Sequence, residues 1–457
     1  MLRVAVIGSG PSGVYTAQSL IEQQAVPDIE VYVLDRLPCP YGLVRYGVAP
    51  DHEKIKSLQN NLRMVLEHPG VHFLGNVEAG APGLGVEELR EIFDAVVFCV
   101  GAATDRHLGI PGEELPGSHP ATEFVAWYSA HPDAAAVRFT LAARSAVVIG
   151  VGNVAVDVVR MLSRGAAELA ATDIPQGPLG ALADSRVEDV WMVGRRGPSQ
   201  AKFTTKELRE LGSLPDTEVC VRPEELALDP AYRDPGELPA VARRNVAVLR
   251  GWAESTAAQP ADAGSAARPR RRIHLRFFLR PAEVLGDASG VRAVRFERTV
   301  PDGRGGVTGT GEFEEIQGQL VLRSVGYRGT PQPGLPFDEA TGTVPHLAGR
   351  VLRDGAPLPG VYVAGWIKRG PTGVIGTNRP CAKETASSLL ADAPMLAERH
   401  TAGDPVAALA RAGQRPVPWP GWLAIEAAEA AWGQGLGRGT VKLPDWAGLL
   451  AAAHANG

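Results

Sequence analysis

A short apolar run, Val4-Ala5-Val6-Ile7, leads directly into Gly8-Ser9-Gly10-Pro11-Ser12-Gly13 and then into Val14-Tyr15-Thr16-Ala17-Gln18-Ser19-Leu20. Run, glycine turn and helical pattern in that order predict a strand, a tight loop and a helix. In such a unit Gly8 permits the turn, Gly10 lets backbone approach a pyrophosphate, and Gly13 lets the helix pack close to the strand. The helix N-terminus then offers free N–H groups to phosphate oxygens. A second apolar run, Ile29-Glu30-Val31-Tyr32-Val33-Leu34, ends at Asp35, an acid placed to accept hydrogen bonds from an adenosine ribose. A bare glycine fingerprint is a weak signal in a chain with 53 glycines. The ordered series of strand, turn, helix, strand and acid makes it a dinucleotide site.

Residues 36–52 are too rich in Pro, Gly and aromatics for a regular element and too apolar for a solvated loop, so they predict a structured loop lining a cofactor. A helical pattern follows over 53–67, then a short strand near 71–74 with Val77 just beyond. The run Asp94-Ala95-Val96-Val97-Phe98-Cys99-Val100 reads as a buried parallel strand. One doubly wound unit therefore ends near Ala103. Residues 108–117 read as a linker.

A second fingerprint begins at Arg144-Ser145-Ala146-Val147-Val148-Ile149 and continues through Gly150-Val151-Gly152-Asn153-Val154-Ala155 into a helix. Its next strand, Val190-Trp191-Met192-Val193, ends in Gly194-Arg195-Arg196-Gly197 and not in a carboxylate. A ribose 2′-hydroxyl calls for an acceptor there, whereas a 2′-phosphate calls for guanidinium forks. Two arginines imply NADP(H). Beyond them lie a helical start at 203–209, a helical stretch carrying Arg243, Arg244 and Arg250, and an Ala-rich, low-complexity loop over 253–267. Segments 273–278, 291–298 and 320–322 alternate like strands of a small antiparallel sheet. Near the end, Gly360-Val361-Tyr362-Val363-Ala364-Gly365-Trp366 predicts a buried strand, then a glycine-dense turn and a helix from about Arg379.

With 457 residues, 45% of them hydrophobic, the chain is expected to form two or three domains. A net charge of -5 gives no global reason for nucleic acid or membrane binding. No leader pattern precedes the first strand and no apolar run approaches the ~20 residues that span a bilayer, so a cytoplasmic location is expected. Cys39, Cys99, Cys220 and Cys381 lack the spacing of a redox disulfide, an iron-sulfur cluster or a zinc site, so no metal is expected.

Three long phrases, residues 40–52, 194–198 and 365–375, together with the two fingerprints, resemble the adrenodoxin reductase type of ferredoxin-NADP reductase over nearly the whole chain. The resemblance implies an α/β fold of two doubly wound, Rossmann-like dinucleotide-binding domains, the NADP domain (104–329) inserted in an FAD domain made of 1–103 and 330–457. It implies FAD held through Gly8, Ser12, Asp35, Leu43 and Val77, with Trp366, Gly373, Val374 and Ile375 around the flavin. NADPH falls to Val151, Gly152, Asn153 and Val154, to Arg195 and Arg196, and to Glu207 and Gly373. Family members commonly carry Glu where this chain has Asp35. By the same resemblance hydride passes from NADPH to FAD and single electrons pass on to a ferredoxin, a small acidic iron-sulfur protein docking on the NADP domain. Arg209, Arg243 and Arg244, in helical stretches after the second fingerprint, are the expected basic face, set against a merely solvated surface. A start directly on the first strand suits a bacterial member.

That chemistry asks mainly for positioning and exclusion of water. His52 and Asp157 are the candidate proton relay, set against a purely structural histidine. Other readings are a disulfide reductase, which needs two neighbouring cysteines; a flavin monooxygenase; and a subunit like the small subunit of glutamate synthase, which normally carries a cysteine-rich N-terminal segment.

Overall fold

The computed structural model describes residues 1–258, 271–397 and 403–455, and the chain divides into two compact units. The first comprises Met1–Thr104, Ser129–Ala135 and Tyr327–Gly457; the second comprises Asp105–Tyr128 and Ala136–Gly326.

The first unit is built on an eight-stranded sheet. Strand Leu2–Ile7 lies at its centre, between Ile29–Leu34 and Ala95–Phe98, and all three run parallel. Val71–Gly75 extends the sheet beyond Ile29–Leu34, and Ala356–Val363 extends it beyond Ala95–Phe98. Both additions are parallel where they join, while short antiparallel strands finish each edge. Continuous apolar runs suit these strands because both faces are covered. Alternate residues go to opposite cores: Val4, Val6, Val31 and Val33 join one cluster, Ala5, Ile7, Tyr32 and Leu34 the other. Helix Pro11–Ile21 packs against helix Asn378–Ala397 over the first of these cores.

The second unit holds a six-stranded parallel sheet in the order Ser118–Pro120, Leu320–Arg323, Ser145–Ile149, Asp189–Val193, Arg271–Arg276, Thr217–Val221. A three-stranded antiparallel sheet, Leu279–Asp287, Gly290–Pro301 and Val307–Gln317, is made by the chain between Arg271–Arg276 and Leu320–Arg323. This corrects the expectation of one small antiparallel sheet over 273–322. Only 291–298 lies in it; Arg271–Arg276 and Leu320–Arg323 are parallel strands of the larger sheet. The Ala-rich stretch expected as a loop begins as helix, because Ala240–Ala258 is continuous and alanine has the best helix propensity. The rest of that stretch lies outside the described residues.

Three further differences are local. Residues 36–52 contain one helical turn, Leu43–Tyr46, and the helix expected over 53–67 breaks at Ser57 into Glu53–Lys56 and Leu58–Leu66. All four cysteines are free. Burial pushes the Cys39 thiol up to about 11 and the Cys99 thiol up to about 12, so both pack as neutral side chains. No helix among the described residues is long and apolar enough to cross a membrane.

Candidate dinucleotide sites

In the first unit the glycines are fixed by contact as well as by conformation. A Cβ on Gly13 would lie 1.8 Å from the carbonyl oxygen of Gly8, and one on Gly8, whose φ is +104°, would lie 2.7 Å from that of Cys99. Gly42, φ +49°, brings the loop after Asp35 against Gly10, since its Cβ would stand 2.9 Å from the Gly10 Cα. Pro11 starts the helix at a position where a missing N–H costs nothing. The strand Ala356–Val363 then delivers Gly365, φ +77°, against Ser12; a Cβ there would meet the Ser12 Oγ at 2.4 Å. Two distant stretches of chain thus enclose one turn.

Asp35 sits at the end of Ile29–Leu34. Its Oδ2 accepts from the Ser9 N–H at 2.7 Å and from the Ser9 hydroxyl, and its Oδ1 accepts from the Leu37 N–H at 2.9 Å. Burial raises this carboxyl above the ordinary range and the three hydrogen bonds oppose that rise. The Val77 N–H donates to the Asp35 carbonyl at 2.9 Å, so Val77, itself buried, shapes the same corner. Leu43 and Val374 are large apolar side chains left 42% and 61% exposed. Gly373, φ +81°, and Ile375 flank Val374, whose N–H donates to the Thr377 hydroxyl at 3.0 Å. Among the described residues the Trp366 Nε1 is buried with no hydrogen-bond partner. The Trp366 ring lies 5.4 Å from that of Tyr327, tilted by 35°. The orphaned indole donor and the glycine cradle fit a large, flat, acceptor-bearing ligand.

In the second unit Gly150, φ +141°, and Gly152 turn the chain from Ser145–Ile149 into helix Asn153–Ser163. The Asn153 Oδ1 accepts from the Thr204 N–H at 2.8 Å. Arg195 is exposed and Arg196 half-buried. Their carbonyl oxygens accept from the Thr299 hydroxyl and the Phe278 N–H. Neither guanidinium has a hydrogen bond or ion pair among the described residues, so both are available to a ligand. The same is true of Arg209, Arg243 and Arg244, all exposed. They lie on helices Thr205–Leu211 and Ala240–Ala258, which pack together. Arg250 differs, for it donates to the Tyr232 carbonyl and stacks on that ring.

Residues 2–191 match the family model described as pyridine nucleotide-disulphide oxidoreductase. The NADPH-ferredoxin reductase FprA of Mycobacterium tuberculosis is 44% identical, with 98% of each chain covered. The chain belongs to the adrenodoxin reductase type of NADPH-ferredoxin reductases. The mitochondrial NADPH:adrenodoxin oxidoreductase of Homo sapiens is 40% identical over 97% of this chain and 90% of its own. The solved structure of the Mycobacterium tuberculosis FprA in complex with NADPH superposes with a TM-score of 0.90, at 42% identity and 99% coverage of both chains.

As a member of this reductase family the chain has buried charges that sequence reasoning missed. Arg160, fully buried, pairs with Asp157 at 2.8 Å, with Glu210 at 3.4 Å and with Glu207 at 3.6 Å. Asp157 and Arg160 stand three apart on one helix, a spacing that could have flagged the pair; the partners from Thr205–Leu211 had no sequence signal. Glu207 is therefore held by Arg160, and its N–H donates to the Thr204 hydroxyl that caps its helix. His52 lies in the first unit, buried, with its carbonyl accepting the Ile55 and Lys56 N–H groups, whereas Asp157 lies in the second. Arg45 is another hidden charge. It is 5% exposed, its Nη2 donates to Glu429, 1% exposed, and its guanidinium stacks on the Tyr46 and Trp422 rings, each 5.0 Å away. Lys442 donates to the Arg45 carbonyl at 2.7 Å and to the Ser129 carbonyl at 3.2 Å. Together these tie the loop after Asp35 to helix Trp419–Gly435 and the segment that follows it.

Proposed function

We propose that the chain is a cytoplasmic NADPH-ferredoxin reductase that holds FAD in its first unit and NADPH in its second, and passes electrons singly to a small acidic iron-sulfur protein. The observation that carries this reading is the opposite ending of the two glycine-turn units. The first ends in the carboxylate of Asp35, suited to ribose hydroxyls; the second ends in two guanidiniums without partners among the described residues, suited to a 2′-phosphate. The relatives named above carry NADPH and ferredoxin or adrenodoxin in their names. Four free cysteines suit a reducing compartment.

When bound, the flavin supplies the exchange between a two-electron donor and one-electron acceptors. The residues of the chain do the rest. Gly8, Gly10, Ser12 and Gly13 present N–H groups and close backbone to the pyrophosphate, Asp35 fixes the adenosine end, and Leu43, Val77, Trp366, Gly373, Val374 and Ile375 surround the ring system. Val151, Gly152, Asn153 and Val154 present the second helix N-terminus, Arg195 and Arg196 grip the 2′-phosphate, and Glu207, steadied by Arg160, faces the nucleotide. His52 and Asp157 are assigned proton handling, and the Asp157 carboxylate is paired with Arg160 at 2.8 Å.

The purified protein is expected to be yellow, with one non-covalent FAD per chain. Heat denaturation should release FAD; release of FMN would overturn the assignment of the first turn, because FMN has neither pyrophosphate nor adenosine.

Docking of the iron-sulfur partner is assigned to Arg209, Arg243 and Arg244. Exposed charges steer encounter and are screened beyond a Debye length of about 8 Å at physiological ionic strength. Reversing Arg243 and Arg244 to Glu should impair ferredoxin-mediated cytochrome c reduction and spare direct ferricyanide reduction, with the wild-type rate through ferredoxin falling as salt rises. If both assays fall together, these arginines support the fold or the NADPH site. If neither falls, the partner docks elsewhere.

A further inference from the structure

The two arginines do not exhaust the cations around the second glycine turn. Residues 202–204 are lashed alongside it: the Lys202 N–H donates to the Val151 carbonyl at 2.8 Å, and the Thr204 N–H donates to the Asn153 Oδ1 at 2.8 Å. Phe203 between them is buried, 1% exposed, and its carbonyl accepts from the Asn245 amide at 2.9 Å, so the segment is anchored on its other side as well. Lys202 itself is exposed, and its ammonium has no hydrogen bond or ion pair among the described residues. The tether therefore holds the Lys202 backbone beside Val151, in the middle of the turn, and leaves its ammonium within a side chain's reach of it.

The position within the turn decides what such a cation meets. Arg195 and Arg196 follow strand Asp189–Val193, at the station of the 2′-phosphate, whereas Val151 belongs to the turn over which a pyrophosphate lies. The stations adjoin, since a Cβ on Gly194 would stand 2.9 Å from the Val151 Cγ1, but they serve different groups of the ligand. We propose that Lys202 is a third cation of the nicotinamide-nucleotide site and that it pairs with the pyrophosphate, not with the 2′-phosphate. It acts as a mobile point charge and not as a fork, which suits a group that must also let product leave. This rests on the NADPH reading of the second unit.

The pyrophosphate is common to NADPH and NADH, and the 2′-phosphate is not, so the two assignments separate cleanly. Lys202→Gln in the flavin-loaded full chain should raise the Michaelis constants for NADPH and NADH by the same factor, about three- to tenfold for a partly exposed charge-assisted contact. The loss should fall on KM and not on kcat in ferricyanide reduction. Competitive inhibition by adenosine 2′-monophosphate should be unchanged, and Lys202→Arg should restore most of the affinity. Unchanged KM for both nucleotides, a loss confined to NADPH with weaker inhibition by adenosine 2′-monophosphate, or a fall in kcat alone would each overturn the assignment. A wild-type chain that oxidises neither nucleotide would instead overturn the reductase reading itself.

Discussion

Arg196→Ala should raise the Michaelis constant for NADPH by roughly 10- to 150-fold and leave that for NADH almost unchanged. A bidentate guanidinium-phosphate contact is a charge-assisted pair contributing about 1.5 to 3 kcal/mol, and NADH has no group to make it. Two features of the structure put the effect on this residue. The Arg196 guanidinium has no protein partner among the described residues, so its removal breaks no internal ion pair. Its backbone is held independently, because the Arg196 carbonyl accepts from the Phe278 N–H, and the loop should keep its shape in the variant. Steady-state ferricyanide reduction with each nucleotide checks this. Equal losses with both would mean that the side chain supports structure, and the selectivity would then have to come from Arg195.

The largest expected effect on stability comes from a residue that no reading of the sequence singled out. Glu429→Ala should lower the unfolding free energy by about 3 to 5 kcal/mol, because it strands the guanidinium of Arg45 in a buried site. Both partners are buried, and the Glu429 Oε1 also accepts from the Leu443 N–H at 2.9 Å, so one deletion orphans two donors. Removing a carboxylate one turn earlier provides the contrast. Glu426 pairs with Arg63 at 2.9 Å, but both side chains are about a third exposed, 34% and 36%, and Glu426→Ala should cost below about 1 kcal/mol. Urea midpoints followed by tryptophan fluorescence would compare the two, with Trp422 beside Arg45 as a local reporter. Similar midpoints for both variants would show that solvent or relaxation replaces what Glu429 provides.

The contrast between Glu429 and Glu426 also shows where sequence reasoning stops. Strand, glycine turn and helix were legible at residues 4–20 and 145–161 because each rests on local periodicity and on glycines whose missing Cβ is needed by a contact a few residues away, as with Gly13 and Gly8. The charge that ends each unit was legible for the same reason. Partner choice was not. Residues 273–278 and 320–322 have strand character in either kind of sheet, and only the crossovers decide that they run parallel to Asp189–Val193 and Ser145–Ile149. Arg45 finds Glu429 384 positions away, and nothing in either local pattern announces the pair. Asp35 shows an intermediate case: its place at the strand end was readable, whereas its three bonds to Ser9 and Leu37 depend on how the glycine turn and the following loop fold back.

The central sheet of the first unit takes its strands from both ends of the chain. Ala95–Phe98 waits for Ala356–Val363 as its neighbour, and Pro11–Ile21 waits for Asn378–Ala397 to cover it. During synthesis the whole of the second unit is made in that interval. The inserted unit therefore has all its strands first, while Ala95–Phe98 keeps an unpaired edge and Pro11–Ile21 a bare apolar face until Ala356–Val363 and Asn378–Ala397 have been made. Long-range pairing of this kind is slow, and such surfaces aggregate. The vulnerable period in the life of this protein is the translation of the inserted unit and of the strand and helix that follow it, and a cell that overproduces it at high temperature should lose it to inclusion bodies then rather than after folding.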